Sequence, residues 1–116
     1  MGPAAFEGRS LDESIELVSI LGELDMSNSS ELRRRVEKAV REGRERLIID
    51  LEALTHMDSS GLAALIDCHQ LAESRGGRLV LMITSGSVRR TVEVRGLDRL
   101  FVIVANRDEA MAAVSG

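Results

Sequence analysis

The sequence contains little cysteine, proline or aromatic residue. Among its 116 residues are one cysteine, one proline and two phenylalanines, with no tryptophan or tyrosine. The single cysteine, Cys68, excludes an intrachain disulfide and gives no indication of an oxidising compartment. The core must therefore consist of Leu, Ile, Val, Ala and Met. The hydrophobic fraction of 44% is sufficient for a compact α/β domain of ordinary size.

Long apolar runs and an excess of basic residues are also missing. No apolar run approaches the roughly 20 residues of a membrane-spanning helix, and the first residues lack the basic and apolar segments of a signal peptide. A formal net charge of -4 gives no general attraction to nucleic acid or to anionic lipid. We therefore expect a cytoplasmic protein that neither binds nucleic acid nor inserts into a membrane.

The motifs of common catalytic and cofactor sites are absent. The only lysine, Lys38, lies within a helical pattern, so there is no Walker-type phosphate loop, and no Gly-x-Gly-x-x-Gly follows a strand. Asp67, Cys68 and His69 are consecutive on a predicted helix and point in different directions, which does not suit a metal site. We expect no catalytic residue, no metal and no cofactor.

Predicted strands and helices alternate along the chain. The strands are Ser14 to Leu21, Arg46 to Leu51, Leu79 to Ile83 and Phe101 to Val104, with a weak signal for an edge strand near Phe6. The helices run from Ser29 to Glu42, from Ser59 to Gly76, from Ser85 or Ser87 to Gly96, and from Asn106 to Val114; Asn28 and Glu31 fit a capping box. This order predicts a small mixed, mostly parallel β-sheet of four to five strands with about four α-helices packed on it.

Two hydroxyls and a carboxylate stand at the start of the second helix, in the segment Met57-Asp58-Ser59-Ser60-Gly61-Leu62. The N-terminus of a helix favours anions because its first N–H groups are unpaired and its dipole is positive there. Asp58 fits an N-cap that accepts from the N–H of Ser60 or Gly61. A serine there can be a cap, a phosphate ligand or a phosphoacceptor. If the first two long strands are neighbours, Asp25 shares this edge of the sheet.

These segments together resemble a known family. Gly22-Glu23-Leu24-Asp25, Asp50-Leu51-Glu52-Ala53-Leu54, the Met57 to Leu62 segment, Arg75-Gly76-Gly77 and Val94-Arg95-Gly96-Leu97 follow one another at suitable distances. They resemble the bacterial anti-sigma-factor antagonists (anti-anti-sigma factors), the single-domain members of the STAS group. The resemblance covers about residues 12 to 114, and we expect one STAS domain over 1–116, with 1–10 as an extension or edge strand.

The resemblance implies a partner-switching phosphoprotein rather than an enzyme. Its expected partners are an anti-sigma factor with a histidine-kinase-like ATP-binding fold, which is also a serine kinase, and a PP2C-type serine phosphatase. The phosphorylated residue is then Ser59, with Ser60 as the alternative, and Ala63 replaces a glycine common in relatives. The expected partner-binding residues are Asp25, Met57, Asp58, Ser60, Gly61 and Leu62. Asp25 also fits an ordinary turn residue, and Leu62 fits a core residue.

Two other functions remain open at this point. The first is a STAS accessory subunit of a membrane transport system, which binds its ATPase without being phosphorylated. The second is a small-ligand or nucleotide-binding module at the same helix N-terminus, although a phosphate-cradling loop is lacking.

Overall fold

The computed structural model describes residues 5–115. Residues 1–4 of the predicted N-terminal extension, and residue 116, lie outside the described residues. The strands are β1 (Ala5–Ser10), β2 (Ile15–Leu24), β3 (Arg46–Asp50), β4 (Leu54–Met57), β5 (Arg78–Met82) and β6 (Val102–Val104). The helices are α1 (Ser29–Arg41), α2 (Ser59–Ser74), α3 (Gly86–Val94) and α4 (Arg107–Ser115), with a short 3-10 helix at Leu97–Arg99.

The strands form one mixed, mostly parallel sheet. Its order is β1-β2-β3-β5-β6, and β4 pairs with the far end of β2. Only β1 runs antiparallel to its neighbour, while β2, β3, β5 and β6 are parallel, as the repeated β-α-β succession predicts. The predicted α/β class is confirmed. The predicted four to five strands are too few, because the described residues form six.

Strand β2 is longer than predicted and changes partner along its length. Residues 15–19 pair with β3, whereas Gly22 to Leu24 pair with β4, and the register shifts between Gly22 and Glu23. Gly22 has a φ of 87°, a conformation that costs glycine little and other residues much. The prediction that the strand ends before Gly22 is therefore wrong: the glycine makes a bulge within the strand rather than terminating it.

Helices cover both faces of the sheet. One face packs under α1, α2 and α3 and includes Leu47, Ile49, Leu79 and Leu81, all fully buried. The alternate residues of the same strands, such as Ile48 and Val80, pack with Ala110 and Val114 of α4 on the opposite face. Burial on both faces explains why β3 and β5 read as continuous apolar runs in the sequence.

Candidate functional site at the start of helix α2

Three elements meet at one edge of the sheet: the end of β2, the end of β4 and the start of α2. Leu24 pairs with Met57, and the N–H of Asp58 donates to the carbonyl oxygen of Leu24 over 3.2 Å. Asp25 directly follows Leu24, and Ser59 directly follows Asp58. The sequence prediction that both lie on one edge is right, but Asp58 follows β4, not the predicted strand from Arg46 to Leu51.

The carboxylate of Asp58 caps α2. Its Oδ1 accepts from the N–H of Gly61 over 3.0 Å, one of the two donors expected from the sequence. Ser59, the first residue of the helix, is exposed, and Ser60 is only partly exposed. The geometry therefore presents the hydroxyl of Ser59 to solvent, beside the positive end of the helix dipole. A phosphate attached there would lie next to N–H groups that the helix leaves unpaired.

Asp25 is engaged within its own turn. Its Oδ1 accepts from the N–H of Ser27 over 2.9 Å and from the hydroxyl of Ser27 over 2.5 Å. The hydroxyl of Ser27 is the largest cause that lowers the pKa of Asp25, followed by the N–H of Ser27; the charge of His56 adds a smaller effect. The turn thus keeps Asp25 ionised and fixes the direction of its carboxylate.

The side chain of Asn28 forms hydrogen bonds with the main chain of this turn. Its Oδ1 accepts from the N–H of Asp25 over 2.9 Å, and its Nδ2 donates to the carbonyl of Glu23 over 2.7 Å. Asn28 is buried, so these bonds are shielded from water. The predicted capping box of Asn28 and Glu31 is therefore wrong, because the asparagine side chain turns back to the loop instead of capping α1.

The edge is acidic. Residues 22–31 and 52–60, which form it, contain five carboxylates and no lysine or arginine, and one of the five, Glu31, is paired with Arg35 of α1 over 3.2 Å. The carboxylates belong to Glu23, Asp25, Glu31, Glu52 and Asp58. We call the surface formed by residues 22–31 and 52–60 the acidic edge. A positively charged partner surface is therefore favoured here, whereas a negatively charged one would be repelled.

The remaining predicted partner residues lie deeper. Met57 is 5% exposed and Gly61 is buried, while Leu62 is partly buried against the core. A Cβ on Gly61 would lie 2.6 Å from the carbonyl oxygen of Leu24 and 3.0 Å from Cγ of Met57. The absence of a Cβ on Gly61 therefore allows α2 to approach β2 closely, two residues after the exposed Ser59.

Sequence reasoning missed Met26, whose side chain is 78% exposed between Asp25 and Ser27. The available signal was one large apolar residue in an otherwise polar loop. It also missed a cleft of about 280 Å³ between β4 and α3. The cleft is lined by Leu54, Thr55, His56, Met57, Ser87, Val88, Thr91 and Arg95.

Side chains outside this edge that could carry chemistry have a structural role. Cys68 is buried, and burial raises the pKa of its thiol to about 12, so it packs as a small apolar residue. Within residues 5–115, no group of three or more His, Cys, Asp or Glu side chains is arranged to hold a metal ion. None of the helices in that range combines the length and the hydrophobicity needed to cross a bilayer.

The sequence of this chain matches a known family. The sequence profile of the STAS domain matches residues 11–110, which is most of the chain. The chain therefore belongs to the STAS domain family.

Two relatives are similar in sequence over most of their length. One is the anti-sigma F factor antagonist of Paenibacillus polymyxa, 28% identical over 96 residues that cover 82% of each chain. Another is the anti-sigma-F factor antagonist RsfB of Mycobacterium tuberculosis, 29% identical over 104 residues, covering 88% of this chain and 83% of RsfB.

Solved structures share the fold. The anti-sigma factor antagonist SpoIIAA in its unphosphorylated form aligns over 97% of this chain and 99% of its own, with 24% identity and a TM-score of 0.75. The phosphorylated form of SpoIIAA from Bacillus aligns over 95% and 99%, with 25% identity and a TM-score of 0.74. A sulfate transporter family protein from Wolinella succinogenes aligns over 92% and 89%, with 17% identity and a TM-score of 0.74.

Proposed function

We propose that this chain is an anti-sigma-factor antagonist that acts in the cytoplasm as one STAS domain spanning 1–116. Unphosphorylated, it binds an anti-sigma factor and releases the sigma factor. The anti-sigma factor, with its histidine-kinase-like ATP-binding fold, phosphorylates Ser59, and a PP2C-type phosphatase restores the hydroxyl. The observation that carries the proposal is the exposed position of Ser59 at the start of α2, on the acidic edge. The names of the similar antagonists support it.

The switch is electrostatic. Phosphorylation adds roughly −1.5 to −2 charges at pH 7. That charge would join the acidic edge, which already carries five carboxylates, one of them paired with Arg35, and would be held against a kinase site that itself binds nucleotide phosphate. Like charges placed together in an interface cost several kcal/mol. Since about 1.4 kcal/mol changes affinity tenfold, one phosphate is sufficient to release the partner.

The domain itself should tolerate the phosphate. The start of α2 stabilises a negative charge through its dipole and its unpaired N–H groups. The likeness of this chain to SpoIIAA in both forms, with TM-scores of 0.75 and 0.74, supports a switch without refolding. The phosphate then acts at the surface, on the partner.

The proposal is tested by intact-mass analysis after incubation with ATP and each anti-sigma kinase encoded in the same genome. We expect the wild-type chain to gain one phosphate and Ser59→Ala to gain none. The matched control is Ser60→Ala, which should still gain one phosphate. A phosphate that persists in Ser59→Ala and is lost in Ser60→Ala would move the acceptor by one residue. No phosphate with any kinase would contradict the proposal.

A second function remains a candidate because the fold is shared with a sulfate transporter family protein. In that case the chain is an accessory subunit that binds the ATPase of a transport system. A pull-down that recovers such an ATPase, with an unmodified Ser59, would favour this alternative.

A further inference from the structure

Met26 occupies an unusual position for a large apolar side chain. It is 78% exposed, although Leu24, two residues earlier, is fully buried. A single exposed apolar residue is common on protein surfaces and needs no explanation by itself. Met26 differs because it lies on the acidic edge, next to Asp25, in the turn that is bonded through Leu24 to the start of α2.

The turn that carries Met26 is held in place on both sides. Asp25 accepts two hydrogen bonds from Ser27, and buried Asn28 bonds to the main chain of Glu23 and Asp25. The backbone around Met26 is thus fixed before any partner arrives. A preorganised backbone loses little entropy on binding, which favours a contact residue. The unbranched methionine side chain can still adapt to the shape of a pocket.

We propose that Met26 is the apolar anchor of the interface with the anti-sigma factor. The proposal rests on the proposed function and adds the chemistry of the partner surface. That surface has an apolar pocket for the methionine, bordered by lysine or arginine side chains that face the carboxylates of the acidic edge. An anchor side chain in a desolvated pocket, surrounded by a polar rim, is the usual arrangement of a binding hot spot.

Met26 and Ser59 have different roles on the same edge. Met26 supplies contact that does not depend on charge, whereas Ser59 changes charge when phosphorylated. The bond between Leu24 and Asp58 keeps the two within about 16 Å along the backbone. That separation is within the span of one partner surface of ordinary size.

The test measures the affinity of the full, unphosphorylated chain for the purified anti-sigma factor that phosphorylates it. We expect Met26→Ala to weaken binding about tenfold or more, because the substitution removes most of the apolar surface that the pocket would bury. Met26→Leu, of similar volume, should bind within about threefold of wild type. The matched control is Val94→Ala, since Val94 on α3 is 80% exposed and should leave the affinity unchanged.

Three results would overturn the assignment. The first is a Met26→Ala chain that binds as tightly as wild type. The second is a Val94→Ala chain that loses as much affinity as Met26→Ala. The third is self-association of the wild type that Met26→Ala abolishes without changing the affinity for the anti-sigma factor, which would make a second copy the occupant.

The failure of this inference is distinguishable from failure of the proposed function. If the wild type binds an anti-sigma factor and is phosphorylated, but Met26→Ala binds equally well, only the anchor is wrong. If the wild type binds no anti-sigma factor, both fail. At partner concentrations that saturate Met26→Ala, Ser59 should still be phosphorylated, as expected for a contact residue that does not position the acceptor.

Discussion

The N–H of Asp58 donates to the carbonyl oxygen of Leu24 over 3.2 Å, and this bond ties the start of α2 to the end of β2. Gly61 makes the approach possible, because any Cβ there would meet the same carbonyl at 2.6 Å. The exposed serine and the acidic turn after Leu24 are therefore parts of one rigid unit. The sequence places them more than 30 residues apart.

The close approach of Gly61 to Leu24 predicts that Gly61→Ala destabilises the domain. The new methyl group must push away a main-chain oxygen and buried side chains, an overpacking that costs about 1–3 kcal/mol. The better helix propensity of alanine returns at most about 1 kcal/mol. We expect a net loss of unfolding free energy in chemical denaturation, together with weaker partner binding because the turn after Leu24 and Ser59 are displaced relative to each other.

Gly86 provides the matched control. It is the first residue of α3, and a Cβ built there meets nothing within 4 Å. Gly86→Ala should leave stability unchanged or raise it by up to about 1 kcal/mol. If Gly61→Ala proves as harmless as Gly86→Ala, the close contact with Leu24 does not constrain the start of α2.

The turn at Asp25 predicts a titration effect. Ser27→Ala removes the hydroxyl that most lowers the pKa of Asp25 but keeps the N–H, so the pKa should rise toward 3.8 without reaching it. A folded-state pKa below the ordinary pKa stabilises the fold at pH values above the ordinary pKa. This contribution is lost as the pH falls through the folded-state pKa. Wild type should therefore lose more stability on acidification than Ser27→Ala does.

Carboxyl-carbon NMR titration measures the effect directly. Asp12 serves as an internal reference, because its pKa is lowered chiefly by the N–H of Ser14, away from the substitution. Its pKa should be the same in both chains. Identical titration of Asp25 in wild type and Ser27→Ala would show that the serine hydroxyl does not hold this carboxylate.

Much of the fold could be predicted from local patterns. The long apolar strands and the amphipathic helix α1 follow hydrophobic periodicity, and the cap at Asp58 follows from its position before an apolar helix. Strand β4 was missed because Leu54-Thr55-His56-Met57 is short and lacks strict alternation. Its existence depends on pairing with the bulged end of β2, which is a tertiary feature.

The candidate site shows the same division. Residues of a continuous segment, Asp58 to Gly61, could be recognised from their spacing and from family resemblance. The role of Asn28 could not, because its side chain chooses between capping α1 and bonding to Glu23 and Asp25, and only the folded loop decides. The exposure of Met26 likewise depends on how that loop is held.

The Ser59 phosphate mimic gives the sharpest test of an electrostatic switch. Ser59→Asp places a negative charge at the first position of α2, where the helix dipole favours it by roughly 0.3–1 kcal/mol and neighbouring Asp58 opposes it. We expect the thermal midpoint to stay within about 5 °C of wild type. Affinity for the anti-sigma factor should fall at least about tenfold, because the charge adds to the acidic edge.

Ser74→Asp separates charge at this site from charge in general. Ser74 is exposed at the opposite end of α2, about 22 Å along the helix from Ser59, so the variant has the same net charge as Ser59→Asp but carries it away from the acidic edge. It should bind the anti-sigma factor like wild type. Equal weakening by both variants would indicate long-range repulsion rather than a local switch. Tight binding by a folded Ser59→Asp chain would exclude charge at Ser59 as the means of release, because the mimic would then carry the charge without its effect.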